Sequence, residues 1–310
     1  MFDPAKFPPE LLAGPFTMQR AQELGVSYGK LRHARLVRLS RGIRMLDDGN
    51  VSLALLTMPY TQVTGYSAAS HATAFEIWEL PGFMPGTGTE DIHITRQAPH
   101  RAQRRRGVVG HMTQFRNDEV VRLGQLWITT RVRTWLDCSR RMSVTELAVA
   151  ADHLLRIPRP EFEFRDQPYA TRNQLDWMLD RHKGAPGIQK ARIALELARV
   201  GSDSAQETRL RLALVSAGLP EPRLNVHVAL APGVTRVPDQ SFPEYRVAVE
   251  YDGGNHADPD QVVRDIARAE DYAAAGWIEV RISKRHMADG ARGAVRAVRN
   301  ALRQRGWPGK

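Results

Sequence analysis

The stretch Arg246-Val247-Ala248-Val249-Glu250-Tyr251-Asp252-Gly253 decides how the C-terminal third of this chain is read. A short apolar run closed by glycine predicts a buried strand. Alternate side chains of a strand share a face, so Glu250 and Asp252 point one way and Val249 and Tyr251 the other. Two like charges side by side are costly unless something positive lies between them. A divalent cation is the usual remedy, and a third carboxylate stands upstream in Arg236-Val237-Pro238-Asp239. The pattern points to metal-assisted phosphodiester chemistry.

Around this strand the coarse order is helix 204–217, strand 223–230, strand 235–242, strand 246–252, helix 259–275, strand 277–283 and helix 291–305. Asp258 is placed to cap the middle helix, with Pro259 at its first position and Gln261 completing the box. Gly276 ends it.

This αβββαβ order resembles the PD-(D/E)XK nuclease superfamily. More closely it resembles the very-short-patch-repair-like endonucleases and the uncharacterised actinobacterial domains related to them, among them domain-of-unknown-function family 559. The residues that carry the resemblance are Ser204-Ala205-Gln206-Glu207, Pro238-Asp239, Val249-Glu250-Tyr251-Asp252-Gly253, His256, Arg264-Asp265 through Arg268, and Ala275-Gly276-Trp277. It implies that Asp239 and Glu250 hold Mg²⁺, with Mn²⁺ as a substitute, and that Glu207 adds a contact from the preceding helix. The ion would activate a water and offset charge on the scissile phosphate. Asp252 stands where the superfamily carries lysine. His256 is then a candidate general acid or base, because imidazole titrates near neutrality. Lys284 is a second candidate cation. Arg264 and Arg268, at i, i+4 spacing, could grip phosphate.

Plainer readings stand beside these. Glu207 lies three residues after Ser204, as the partner in a capping box does. Asp239 could be a turn aspartate after proline. Arg264 and Arg268 could line a solvated helix face, as could Arg292, Arg296, Arg299 and Arg303. Asp265 and Arg268 could pair across one helical turn.

Across 310 residues, 44 Lys+Arg against 34 Asp+Glu give a net charge of +10, which suggests a polyanionic partner. The basic residues are grouped. Leu24–Leu46 holds Lys30, Arg32, Arg35, Arg38, Arg41 and Arg44 without an acid, and Ile92–Asn117 holds another six arginines without one. The single Cys138 excludes an internal disulfide framework and suits a reducing cytosol. Neither a membrane-length apolar run nor a signal peptide is read, so the expected compartment is the cytoplasm.

In the N-terminal region Thr17 is placed to cap a helix ended by Gly25, and Ser27 a second helix from Tyr28 to about Leu36. Val37-Arg38-Leu39, Ser40-Arg41-Gly42 and Ile43-Arg44-Met45 read as a small hairpin. The expectation is a winged helix-turn-helix presenting Lys30, Arg32 and Arg35 to a DNA groove, with Arg41 on phosphate. This module, with Tyr66-Ser67-Ala68-Ala69-Ser70-His71 and Ile128-Thr129-Thr130-Arg131-Val132-Arg133-Thr134-Trp135-Leu136-Asp137, resembles the AbiEi-type antitoxin and regulator family. That resemblance implies DNA binding.

The middle region reads as mixed α/β: a helix from Ser67 to Ile77, strands at 91–95 and 108–112, and a helix from Ser143 to Arg156. The arginine loop His100–Arg106 joins the two strands. His93, His100 and His111 lie on different segments without metal-ligand spacing.

The expected architecture is therefore an α/β multi-domain chain. It comprises a winged helix-turn-helix (1–50), a middle α/β module (51–157), a helical linker (158–200) and a nuclease-like domain (201–310). The expected function is DNA binding with Mg²⁺-dependent endonuclease activity. The rivals are a non-catalytic antitoxin-like regulator and a protein-docking scaffold in a toxin–antitoxin or defence system.

Overall fold

The computed structural model describes residues 7–33, 35–46, 51–253 and 259–309, and of 259–263 and 265 the backbone alone. Helices and mixed sheets combine in an α/β multi-domain fold. The chain divides into two compact units of two segments each. The first is Met1–Ser143 with Asn173–Ala191, and the second is Val144–Arg172 with Arg192–Lys310. The stretch expected as a linker is thus shared between the two.

In chain order the first elements are α1 (Pro9–Leu12), β1 (Phe16–Thr17), α2 (Met18–Glu23), β2 (Leu36–Ser40), β3 (Ile43–Leu46) and α3 (Leu53–Gln62). Then come β4 (Ser67–Ala69), α4 (His71–Ile77), β5 (Ile92–Gln97), β6 (Val108–Thr113), β7 (Val120–Leu123), β8 (Leu126–Thr129) and α5 (Arg131–Cys138). The helices α6 (Val144–Leu155), α7 (Arg172–Arg181) and α8 (Ile188–Leu197) follow.

In the first unit the Thr17 hydroxyl accepts the Arg20 N–H and starts α2, as a capping threonine should. Gly25, at φ 79°, follows the end of that helix. The second expected helix does not form. Only a 3₁₀ turn, Lys30–Arg32, is present, and Leu36 opens β2 instead. The segment is short, carries Gly29 at its start and turns extended at His33, so too few residues remain to offset nucleation of a helix. The hairpin does form: β2 pairs antiparallel with β3, which in turn pairs with β1.

A five-stranded sheet, ordered β6-β5-β4-β8-β7, forms the body of this unit. Ser67–Ala69, expected as the start of a helix, is the central strand of that sheet. The small buried Ala68 and Ala69 fit between β5 and β8, and the helix starts only at His71. Strands β5 and β6 are parallel. The loop between them folds back so closely that a Cβ on Gly110 would collide with the Gln103 backbone.

The second unit continues with α9 (Ala205–Ser216), β9 (Arg223–Leu224), β10 (Val228–Ala231), β11 (Val234–Arg236), β12 (Gln240–Phe242) and β13 (Val247–Asp252). It closes with α10 (Pro259–Ala274), β14 (Ile278–Ser283) and α11 (Lys284–Gln304). The four-stranded sheet is ordered β14-β13-β12-β9. Its β13–β14 pair is parallel, and α10 makes the crossover that parallel strands require. Val247, Ala248 and Val249 are each 0% exposed, which is why β13 reads as a continuous apolar run rather than an alternation.

The two long strands expected at 223–230 and 235–242 each break in two. Asn225 takes a left-handed φ of 47°, and Pro238 cannot donate to a ladder. The inner parts, β9 and β12, stay in the sheet, while β10 and β11 leave as a separate hairpin. Helix α11 begins seven residues earlier than expected and is broken at Ala288–Ala291 by non-helical backbone. Leu210, Leu214, Phe242, Ile282, Val298 and Leu302 fill the core between α9, the sheet and α11.

Candidate functional site

At the sheet of the second unit Asp239 lies within electrostatic reach of two further carboxylates, Glu207 and Glu250. Glu207 is carried by the first turn of α9, which Ser204 starts by accepting the Glu207 N–H at 3.2 Å. The Glu207 Oε2 accepts the Asp203 N–H at 2.9 Å and the Asn225 side-chain amide at 3.0 Å. The helix-capping role expected for Glu207 is therefore present, displaced by one residue from a true capping box. Asp239 precedes β12, and its Oδ2 accepts the Tyr251 N–H at 2.7 Å. Glu250 lies on β13.

Each of these carboxyls is pushed above its ordinary range. Burial is the largest cause for Glu207, which reaches about 7, followed by the charge of Asp239. Glu250 also reaches about 7, through burial and then Asp239, with Glu279 adding to the rise. Asp239 is raised mainly by burial. Asp239 is thus the electrostatic pivot: its charge bears on one carboxylate from a helix and another from a strand.

Arg268 is a cation of this group, and Arg159 also opposes the rise of Asp239. Arg268 opposes the rise of both Asp239 and Glu250, and its guanidinium lies 3.4 Å from Glu279. Of the two readings of Arg268, the solvated helix face does not hold: the side chain bears on the carboxylates from α10. Arg264 is exposed on the same helix, and Lys284 is exposed at the start of α11. Asp252 ends β13 opposite Ser283 of β14, and its charge bears on the Tyr251 phenol. His256 and Asp258 lie outside the described residues.

In donor type the group suits a hard divalent ion, which carboxylate oxygens prefer and whose charge would relieve the mutual repulsion. Among the described residues, however, no three acidic, histidine or cysteine side chains close into a metal-holding group. The three metal ligands expected from the sequence, Asp239, Glu250 and Asp252, are therefore not gathered as a set.

Three residues of this site escaped the sequence reading. Asn225 links the other elements: its backbone N–H donates to the Asp239 carbonyl at 3.1 Å and its amide to Glu207. Glu279 joins from β14. Tyr272 of α10 is fully buried, its hydroxyl has no hydrogen-bond partner among the described residues, and Glu250 and Glu279 push its ionisation further up. Only an asparagine in left-handed backbone would have signalled the first, and left-handed backbone is invisible without coordinates.

A second, basic site lies in the first unit. Arg38 and Arg41 of the hairpin face Arg104, Arg105 and Arg106 of the β5–β6 loop around a cavity of about 530 Å³. Arg105 fastens the loop to the hairpin by donating to the Ser40 hydroxyl at 3.4 Å and to the Arg41 carbonyl. None of the described residues that line the cavity is acidic. Lys30, Arg32 and Arg35 are exposed on and after the 3₁₀ turn rather than on a helix, and none lines this cavity.

The histidines behave differently from the expectation. His93 and His111 meet across β5 and β6, with Nδ1 and Nε2 3.0 Å apart, and His71 stacks on His111 at 3.7 Å between ring centres. Parallel strand pairing, which residue spacing does not reveal, brings them together. His100 instead stacks on Tyr66.

Two proteins of Mycobacterium tuberculosis are similar to the chain. They are uncharacterized protein MT2308 of strain CDC 1551 / Oshkosh and uncharacterized protein Rv2248 of strain ATCC 25618 / H37Rv. Each is 31% identical over 112 residues, which is 36% of this chain and 41% of the relative. The match therefore spans about two fifths of the length of these curated relatives. No protein-family profile and no solved structure matches the chain. No helix among the described residues is long and apolar enough to cross a membrane.

Proposed function

We propose that this protein binds DNA and that its second unit is a metal-dependent endonuclease. The observation that carries the reading is the position of Asp239, whose charge raises Glu207 and Glu250 from two different elements. Buried carboxylates that destabilise one another in this way are characteristic of sites that handle protons or cations. Asp239 and Glu250 would hold a Mg²⁺ ion, which would supply a water of lowered pKa and charge to offset the scissile phosphate. Glu207, at about 7, can hold or release a proton at neutral pH, as a general acid or base must. Arg268 would place a fixed positive charge beside the phosphate, in the role the absent strand lysine would have played. The arginine cavity, with no acid among its described lining residues, supports the DNA-binding half, because its chemistry suits backbone phosphate.

A specific observation also favours a second reading, a DNA-binding regulator without catalysis. Asp252 replaces the expected lysine, and the carboxylates do not close into a three-ligand group among the described residues. Supercoiled-plasmid nicking in Mg²⁺ or Mn²⁺ separates the two. Wild-type nicking lost in Asp239→Ala and Glu250→Ala supports the enzyme. Equal background nicking in all three, with duplex binding intact, leaves the regulator.

A further inference from the structure

A second cavity of the first unit has a different chemistry from the arginine cavity. It measures about 660 Å³, within the range of roughly 300–1,000 Å³ that small organic ligands occupy. Three rings line it: Tyr66, Phe115 and Trp127. Tyr66 is 72% exposed and Trp127 44%, far more than packing requires of residues this large. Arg122 lies over the Trp127 ring at 5.4 Å, and Arg116 lines the same wall. The remaining polar lining includes the amides of Gln62, Asn117 and Gln125, and none of the described lining residues is acidic.

The Tyr66 ring is held in place at some cost. Its backbone has φ 58°, which is uncommon for any residue but glycine and a strain for a bulky one. The turn is pinned from both sides. The Tyr66 carbonyl accepts the Gln97 N–H at 2.8 Å, and the Gly65 carbonyl accepts Arg96 Nε at 3.2 Å. His100 backs the ring in a stack at 4.6 Å with 11° between planes. A conformation fixed this way keeps an aromatic face open to solvent.

We propose that this cavity receives an unstacked nucleotide of a single-stranded nucleic acid. Exposed rings offer stacking faces to a base, the two arginines suit its phosphates, and side-chain amides can donate to and accept from a base edge. An acid-free wall excludes the cationic peptides that aromatic clefts otherwise take. The inference does not rest on the nuclease reading, and it concerns a different cavity from the one assigned to duplex phosphate.

The test is fluorescence anisotropy with a labelled twelve-nucleotide oligothymidylate, a labelled duplex, and thymidine monophosphate as competitor. The proteins compared are wild type, Trp127→Ala, Tyr66→Gly, Arg122→Gln and Arg41→Ala. Glycine at 66 removes the ring while keeping the left-handed backbone free of strain. Each ring variant should weaken single-strand binding on the order of tenfold while remaining folded and leaving duplex affinity unchanged. Arg41→Ala should do the reverse, which separates failure of the duplex assignment from failure of this one. A monophosphate that competes only at far higher concentration assigns the nucleotide to a strand, and one that competes equally assigns it to the free pool. Wild type without single-strand affinity overturns the proposal. So do ring variants that bind the oligonucleotide like wild type, and ring variants that lose duplex and single-strand binding together.

Discussion

Asp239 Oδ2 accepts a 2.7 Å hydrogen bond from the Tyr251 N–H, which ties the turn before β12 to β13 between its two acidic residues. The position of Asp239 and its charge can therefore be separated. In Asp239→Asn the side-chain oxygen still accepts that bond while the charge is gone. Glu207 and Glu250 should then titrate below about 7 but remain above their ordinary 4.5, because burial is the larger cause of their shifts and persists. Carbon-detected NMR titration of the carboxyls reads this directly. Unchanged values would show that Asp239 is not the pivot.

The same two glutamates make a signed prediction about stability. Their folded pKa of about 7 exceeds the unfolded 4.5, so the folded state holds the protons more tightly. Their contribution is complete below 4.5 and is lost as pH rises through 7, on the order of a few kcal/mol in all. A bound cation favours the ionised carboxylates. Adding Mg²⁺ should therefore raise the thermal midpoint more at pH 8 than at pH 5.5. Equal or absent shifts at both pH values would remove the ion from this site.

The stacked histidines predict the opposite slope for the first unit. Burial, reinforced by the charges of neighbouring histidines and of Arg141, lowers His111 to about 3, although Asp137 opposes the shift. Burial, His93, Arg133 and Arg141 lower His71 to about 3 as well. The unfolded chain takes up these protons near 6.5. Stability is complete above that value and declines as pH falls from there toward 3. Each histidine should contribute a slope of up to ~1.4 kcal/mol per pH unit in that window. Urea midpoints between pH 7 and 4.5 should fall less steeply for His111→Gln than for wild type. Parallel slopes would mean that His111 takes up no extra proton on unfolding.

The C-terminal architecture was largely legible because its signals are local. Ser204 and Glu207 mark a helix start, Val247–Val249 an apolar strand, and Pro259 a first turn, and each of these elements is where the sequence places it. The failures come where distant contacts override local pattern. Ser67–Ala69 is helix-compatible alone, yet two flanking strands claim it. The would-be recognition helix after Ser27 has basic residues at helical spacing but too short a run to persist. The site followed the same division. Asp239 and Glu250 were visible by spacing, whereas Asn225, Glu279 and Tyr272 enter through a left-handed turn and a parallel crossover that spacing cannot encode.

The proposed assignment of duplex phosphate to the arginine cavity predicts how binding would respond to salt. Arg41 and Arg104 are exposed there, so removing either should leave the fold intact. Each neutralised phosphate contributes about −0.9 to the slope of log affinity against log salt. Arg41→Ala and Arg104→Ala should each make that slope shallower by roughly one unit, equally for all duplex sequences. A slope identical to wild type would take these arginines off the phosphate backbone.

Helix α6 supplies Asp152, which pairs at 3.0 Å with Arg211 of α9, both side chains 1% exposed. The carboxylate also accepts the Arg199 N–H and the Thr208 hydroxyl. Fifty-nine positions of sequence separate the two ends of this ion pair. A C-terminal fragment cut at residue 201, where the sequence invites a boundary, would leave Asp152 and the Leu197 carbonyl behind, and the buried Arg211 guanidinium would keep its 3.3 Å pairing with Glu221 but lose its buried carboxylate. Excision of the second unit as a piece that starts at residue 201 is therefore the wrong way to isolate it; the piece must begin before Val144 or carry a substitute for Arg211.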